Sequence, residues 1–170
     1  MYVEFINRGR TRMAQIDDAR IIWRNFAGRG DRFNPQGNRE FSMVIPNDEI
    51  ADAFLNDMNE FGAAWKVKIK APKEEGDEPF RFMKVKVSYK GRGPKIYLIT
   101  NGRKNELDEE DVHILDDIDI SRVNLDIRAY DGEDGPQGPF RSAYLQAMEV
   151  YQDLDRFAAK YVDNDEEAVF

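Results

Sequence analysis

Between residues 8 and 39 the chain carries eight arginines (Arg8, Arg10, Arg12, Arg20, Arg24, Arg29, Arg32 and Arg39) against three acids, with Trp23, Phe26 and Phe33 among them. A second concentration follows: Lys66, Lys68 and Lys70, then Phe80, Phe82, Lys84 and Lys86, then Lys90, Arg92, Lys95 and Tyr97. Cations interleaved with flat rings suit a flexible polyanion with unstacked bases. Ammonium and guanidinium groups track phosphates, and rings take bases. Each stacked base is worth about 1–3 kcal/mol, so two or three rings outweigh any single phosphate contact. Duplex binding is less well served, because no helical segment is basic enough to enter a major groove. The residues expected to line a single-strand groove are Arg24, Phe26, Arg29, Arg32, Phe33, Arg39, Lys66, Lys68, Lys70, Phe80, Phe82, Lys84, Lys86, Lys90, Arg92, Lys95 and Tyr97. Phe80 and Phe82 are the leading stacking candidates because they alternate onto a face with lysines. Phe33 comes next, in a polar turn. About half of the aromatics are expected in the core, Trp23, Trp65 and Tyr89 among the candidates.

Other chemistries find little support. Phosphate-loop, zinc-protease, nucleophile-elbow and dinucleotide fingerprints are missing. The GRG pieces at 28–30 and 91–93 read as turns. His113 is the only histidine and lies in an acidic stretch, where local hydrogen bonding is the expected use. The run Asp108, Glu109, Glu110, Asp111, Asp116, Asp117 and Asp119 could hold Mg²⁺ for nuclease chemistry. A local run of this kind is more often a solvated face, so neither metal nor cofactor is expected. With no cysteine, disulfides and thiolate sites are excluded.

The net charge of −8 conceals an asymmetry. Residues 1–104 hold 20 Lys/Arg against 14 Asp/Glu, a balance of +6, and residues 105–170 hold 5 against 19, a balance of −14. Such a division points to a polyanion-binding body with an acidic face or tail. No apolar run is long enough to cross a membrane as a helix, and no secretory leader is evident, so a cytoplasmic protein is expected.

Seven segments read as strands by alternation and β-branched content: 19–26, 39–45, 64–70, 80–90, 95–100, 121–130 and 140–151. A helix is expected over 48–61, with Ile50, Phe54, Met58 and Phe61 on one face and Asn47 or Asp48 as cap. A short acidic helix is expected over 107–118, and long loops over 27–38, 71–79 and 131–139. The result is mainly β with minor α. A small, partly open antiparallel barrel is preferred, with a β-sandwich as the alternative. One domain over 1–152 and an acidic tail over 153–170 complete the layout.

The segments ARIIWRNF, FSMVIP and VKVSYKGRGPKIYLIT resemble phage-type single-stranded DNA-binding proteins of the OB-fold kind. The ending DNDEEAVF is similar to the acidic tip, closed by Phe, of bacterial SSB proteins, with Val169 where those tips commonly have Pro. The resemblance implies a non-enzymatic protein that coats single-stranded DNA in phage replication or recombination, in the host cytoplasm. Its tail residues Asp163, Asp165, Glu166, Glu167 and Phe170 would engage partner replication or recombination proteins. A homo-oligomer is left open. A competing reading is an acidic interaction factor, either a DNA mimic or a phage inhibitor of a host protein, with a metal-dependent nuclease a more distant one.

Overall fold

The computed structural model describes residues 1–153. Nine strands are joined by one α-helix and one 3-10 helix: β1 (Tyr2–Arg8), β2 (Thr11–Asn25), β3 (Arg39–Ile45), α1 (Asp48–Asn56), β4 (Val67–Lys70), β5 (Phe80–Val87), β6 (Lys95–Thr100), β7 (Arg103–Leu107), the 3-10 turn Val112–Asp116, β8 (Arg122–Gly135) and β9 (Gly138–Gln152). Strands β5, β3, β2, β8 and β9 are successive neighbours, and β9 returns to β5 through a single parallel bridge, Lys86↔Tyr144. That circuit is a five-stranded, partly open barrel of OB type. β1 adds to β2, β4 to β5, and the β6–β7 hairpin to β9. Pairing is antiparallel except where β9 meets β5 and β6.

Alternation explains the core. Phe41, Met43 and Ile45 of β3 and Met83 and Val85 of β5 turn inward to meet Leu125, Ile127, Leu145 and Met148 of β8 and β9. Their partners across each strand turn outward, as period-two geometry requires. β2 is long enough to serve three neighbours, pairing with β1 over Thr11–Asp17, with β8 over Met13–Ala19 and with β3 over Arg20–Asn25. Its register shifts between Ile16 and Ala19 and again between Ile22 and Asn25, where Asp18 and Trp23 have φ of 55° and 50°. Bulges of this kind bend a strand around a barrel corner and re-aim the side chain they carry.

Several elements depart from the sequence reading. The expected helix 48–61 starts as read, with Asn47 Oδ1 accepting from the Ile50 amide at 2.9 Å, but stops at Asn56. Beyond it the chain turns around Asn59, whose Oδ1 accepts from the amides of Phe61 and Ala63. Met58 and Phe61 are therefore exposed. β1 (YVEFINR), which adds to the edge of β2, and the polar β7 (RKNEL) fall outside the sequence reading. The acidic helix shrinks to the 3-10 turn, because Asp116 is drawn away to accept from the Phe26 and Ala27 amides at 2.7 and 3.0 Å. The Gly/Pro-rich stretch 131–139 mostly continues β8 and β9 as a two-stranded ribbon. No helix among the described residues is long and apolar enough to cross a membrane.

Candidate nucleic-acid interface

The outward residues of β4 and β5 lie side by side: Lys70 opposite Phe80 and Lys68 opposite Phe82. Lys84 and Lys86 continue the row along β5, opposite Ser42 and Glu40 of β3. With Lys66, which precedes β4, four lysines surround a small cleft of about 210 Å³ floored by Met83, Ser142 and Ala143. Lys66 is exposed, yet the cleft walls strip part of its hydration. That desolvation, with the charges of Lys86, Lys68 and Lys84 added, pushes its pKa below the ordinary 10.5. Lys84 is partly offset by Glu40 at 3.6 Å, and the remaining like charges raise a local positive field that suits an anion.

Three larger clefts branch from this centre. One, of about 840 Å³, runs between Lys66 and Lys68 and the ribbon around Phe140. A second, of about 580 Å³, lies between Arg39, Lys86, Tyr89 and Tyr144. The third, of about 490 Å³, joins Lys84 to Trp23, Arg29 and Phe33. Lys86 lines the centre and two of the branches, and Lys84 lines the centre and the third, so the four form one continuous surface.

Rings stand at both ends. Trp23 is 56% exposed, thrown outward by the β2 bulge, and meets Phe82 edge-to-face at 5.0 Å and Phe80 at 5.8 Å. Lys70 Nζ lies 5.1 Å from the Trp23 ring centre. Phe33 projects from the 27–38 turn at 89% exposure. At the opposite end Tyr130, Phe140 and Tyr144 form a chain of ring contacts at 5.9–6.1 Å. Lys66 approaches Phe140 at 5.2 Å, and Lys86 and Arg128 approach Tyr144 at 5.8 and 5.2 Å.

The ribbon is held by buried charge. Arg141, only 4% exposed, donates from Nε to Asp131 at 2.8 Å and from Nη1 to Asp57 at 3.0 Å. Asp57 also accepts from Arg12 Nη2 at 2.7 Å and Trp65 Nε1 at 2.8 Å. Burial alone would raise the Asp57 pKa. The hydrogen bonds from Arg12 and Trp65, with the charges of Arg12 and Arg141, outweigh it and hold the carboxyl below 3.8. The network pins Phe140 beside Lys66 and so fixes one wall of the groove.

Most of the expected residues come together here: Lys66, Lys68, Lys70, Phe80, Lys84 and Lys86 on the sheet, and Arg29, Arg32 and Phe33 in the adjoining loop. Lys90 lines the Tyr89 cleft, and Arg92 is exposed in the same loop. Five of the expected residues are placed otherwise. Phe26 is 0% exposed and stacks on Phe41 at 5.3 Å, so it is core and offers no face to a base. Arg24 lines the Trp23 cleft, but its Nη1 is committed to the Leu115 and Ile118 carbonyls at 2.6 and 2.7 Å, anchoring the 3-10 segment. Phe82 lies beneath Trp23 and Phe80, supporting the ring that is exposed. Lys95 and Tyr97 stand on β6, at the register of Ala147 and Glu149, and line none of the four clefts. Arg39 is half committed: its Nη1 donates to the Phe26 and Glu109 carbonyls, and its guanidinium covers Tyr89.

Sequence reasoning missed Trp23 as an exposed ring, and with it Tyr130, Phe140 and Tyr144. The available signal was the i, i+4 spacing of Phe140 and Tyr144, which shares a strand face. Among the described residues, no three His, Asp or Glu side chains gather as a metal site. The acids Asp163, Asp165, Glu166 and Glu167, and Phe170, lie outside the described residues.

An OB-type barrel with a cationic, ring-flanked outer face defines a nucleic-acid-binding protein of the single-strand class. The chain belongs to the family described as "Putative phage ssDNA-binding domain", whose model matches residues 5–169. It is similar in fold to the single-stranded DNA-binding protein from bacteriophage Enc34, with a TM-score of 0.50, 16% identity, and coverage of 92% of this chain and 93% of that one. The same phage protein bound to ssDNA gives a TM-score of 0.47 and 13% identity over 91% of this chain and 98% of that one. No match is found among curated proteins.

Proposed function

We propose that this chain is a non-enzymatic single-stranded DNA-binding protein that coats and protects DNA strands during phage replication or recombination in the host cytoplasm. One observation carries the reading: four lysines converge on one cleft between two sets of rings, one led by the exposed Trp23 and the other by the exposed Tyr130. The strand would enter at Phe33 and Trp23, pass its phosphates over Lys84, Lys86, Lys66 and Lys68, and leave across Tyr144, Phe140 and Tyr130. The family and the fold of the Enc34 protein support this. The body 1–152 is the DNA-binding unit, and segment 153–170 acts as an acidic arm. Asp163, Asp165, Glu166 and Glu167 would compete weakly for the lysine cleft, and Phe170 would dock with a replication or recombination partner.

A salt series with oligo(dT), in parallel with duplex DNA, tests the reading. Affinity should fall with a log–log slope of about −0.7 per neutralised phosphate. Lys84→Glu should weaken binding and flatten that slope. Oligo(dT) affinity that is the same at low and high salt would sink the proposal.

A further inference from the structure

We propose that Glu40 is a base-reading residue within this groove, selecting against thymine; the inference rests on the single-strand reading above. Glu40 sits on β3 in register with Lys86 and is paired loosely to Lys84 at 3.6 Å, with 28% of its side chain exposed. It lines both the Trp23 cleft and the Tyr89 cleft, at the junction where they meet the lysines. Of the other carboxylates of these clefts, Asp117 is exposed at the end of the 3-10 turn and lines the Trp23 cleft alone, and three have partners. Asp31 and Asp116 accept from backbone amides, and Glu109 pairs with Arg39 at 3.7 Å.

A carboxylate among lysines repels phosphate, so the backbone follows the cations and a base edge is what turns toward Glu40. An ionised carboxylate only accepts hydrogen bonds. The cytosine N4 amino group, the adenine N6 amino group and the guanine N2 amino group are donors it can use. Thymine offers N3–H flanked by two carbonyl oxygens, both repelled by the carboxylate. Glu40 therefore favours amino-bearing bases and penalises thymine runs.

The test measures oligo(dC) and oligo(dT) of equal length against the full chain and its Glu40→Gln variant, at neutral pH and one salt concentration. Gln both donates and accepts, so it can serve the thymine O4 that Glu40 repels. The ratio of dC to dT affinity should fall about tenfold in Glu40→Gln, the size of one good base contact, chiefly by a gain on oligo(dT). Glu40→Ala should lose the same discrimination. If both variants raise the two affinities by a common factor, Glu40 acts only as a charge and the inference is overturned. If the wild-type chain binds neither oligonucleotide, the single-strand reading itself falls, a result distinct from an unchanged ratio.

Discussion

Replacing Trp23 with alanine separates the base-stacking end of the groove from its electrostatics. The ring is more than half exposed and is supported by Phe82 at 5.0 Å and Phe80 at 5.8 Å. Loss of one stacked base costs about 1–3 kcal/mol, which is roughly a 5- to 150-fold rise in Kd. Lys70 already attends the ring at 5.1 Å and must share it with the base, which favours the lower half of that range, about tenfold. Stability should fall modestly, since two edge-to-face pairs contribute about 0.5–1.5 kcal/mol each. The salt slope should not change, because no cation is removed. The protein reports on itself here. Its two tryptophans are Trp23 and Trp65, and Trp65 is 1% exposed. Oligo(dT) should quench intrinsic fluorescence in the wild type through Trp23, and the quench should vanish in Trp23→Ala while the Trp65 emission stays. Affinity retained within about twofold, or a quench that persists, would refute the placement of the bases.

Lys66 should give binding an alkaline limb. Its pKa lies below the ordinary 10.5, so rising pH removes its proton before those of ordinary lysines, taking one phosphate contact and about 0.7 of salt slope with it. Lys66→Arg stays charged and should abolish that limb in oligo(dT) titrations; an identical profile in the variant would count against the lysine cluster. Among the described residues, Asp57→Asn leaves Arg141 with Asp131 as its one charged partner and should cost about 2–4 kcal/mol in urea unfolding. Asp57 and Asp131 both have folded pKa values below 3.8, so their stabilisation is present above that value and is lost as pH falls through the folded values. Asp57→Asn should therefore flatten the acid limb of a stability–pH curve.

Much of the fold could be read from alternation. In 80–87 the apolar residues Met83, Val85 and Val87 face the core and Lys84 and Lys86 face out, because one sheet face is buried and the other is wet. Polar strands escaped the same reasoning. β7 has the sequence RKNEL and gains its conformation from five register pairs with β6, an interaction no local pattern encodes. The helix over-reached for a related reason. Asp57 and Asn59 bond to Arg12, Arg141 and Phe140, residues far along the chain, and Asp57 also to Trp65 eight residues on, and those bonds outcompete another helical turn.

The lysines and their spacing were legible because charge and period-two alternation are local properties of the chain. The identity of the stacking rings was not. Trp23 and Phe26 are three residues apart in the same aromatic, arginine-rich stretch, and composition treats them alike. A bulge at φ 50° turns Trp23 out to solvent, and Phe26, past the shift in register, packs flat against Phe41 inside the barrel. The far wall of the groove was equally hidden. Phe140 reaches Lys66 only because a buried arginine–aspartate network joins the ribbon to the turn after α1. The sequence determined that this chain would carry a cationic, ring-bearing β surface. Only closure of the barrel decided which rings remained outside, since burial depends on partners brought from distant parts of the chain.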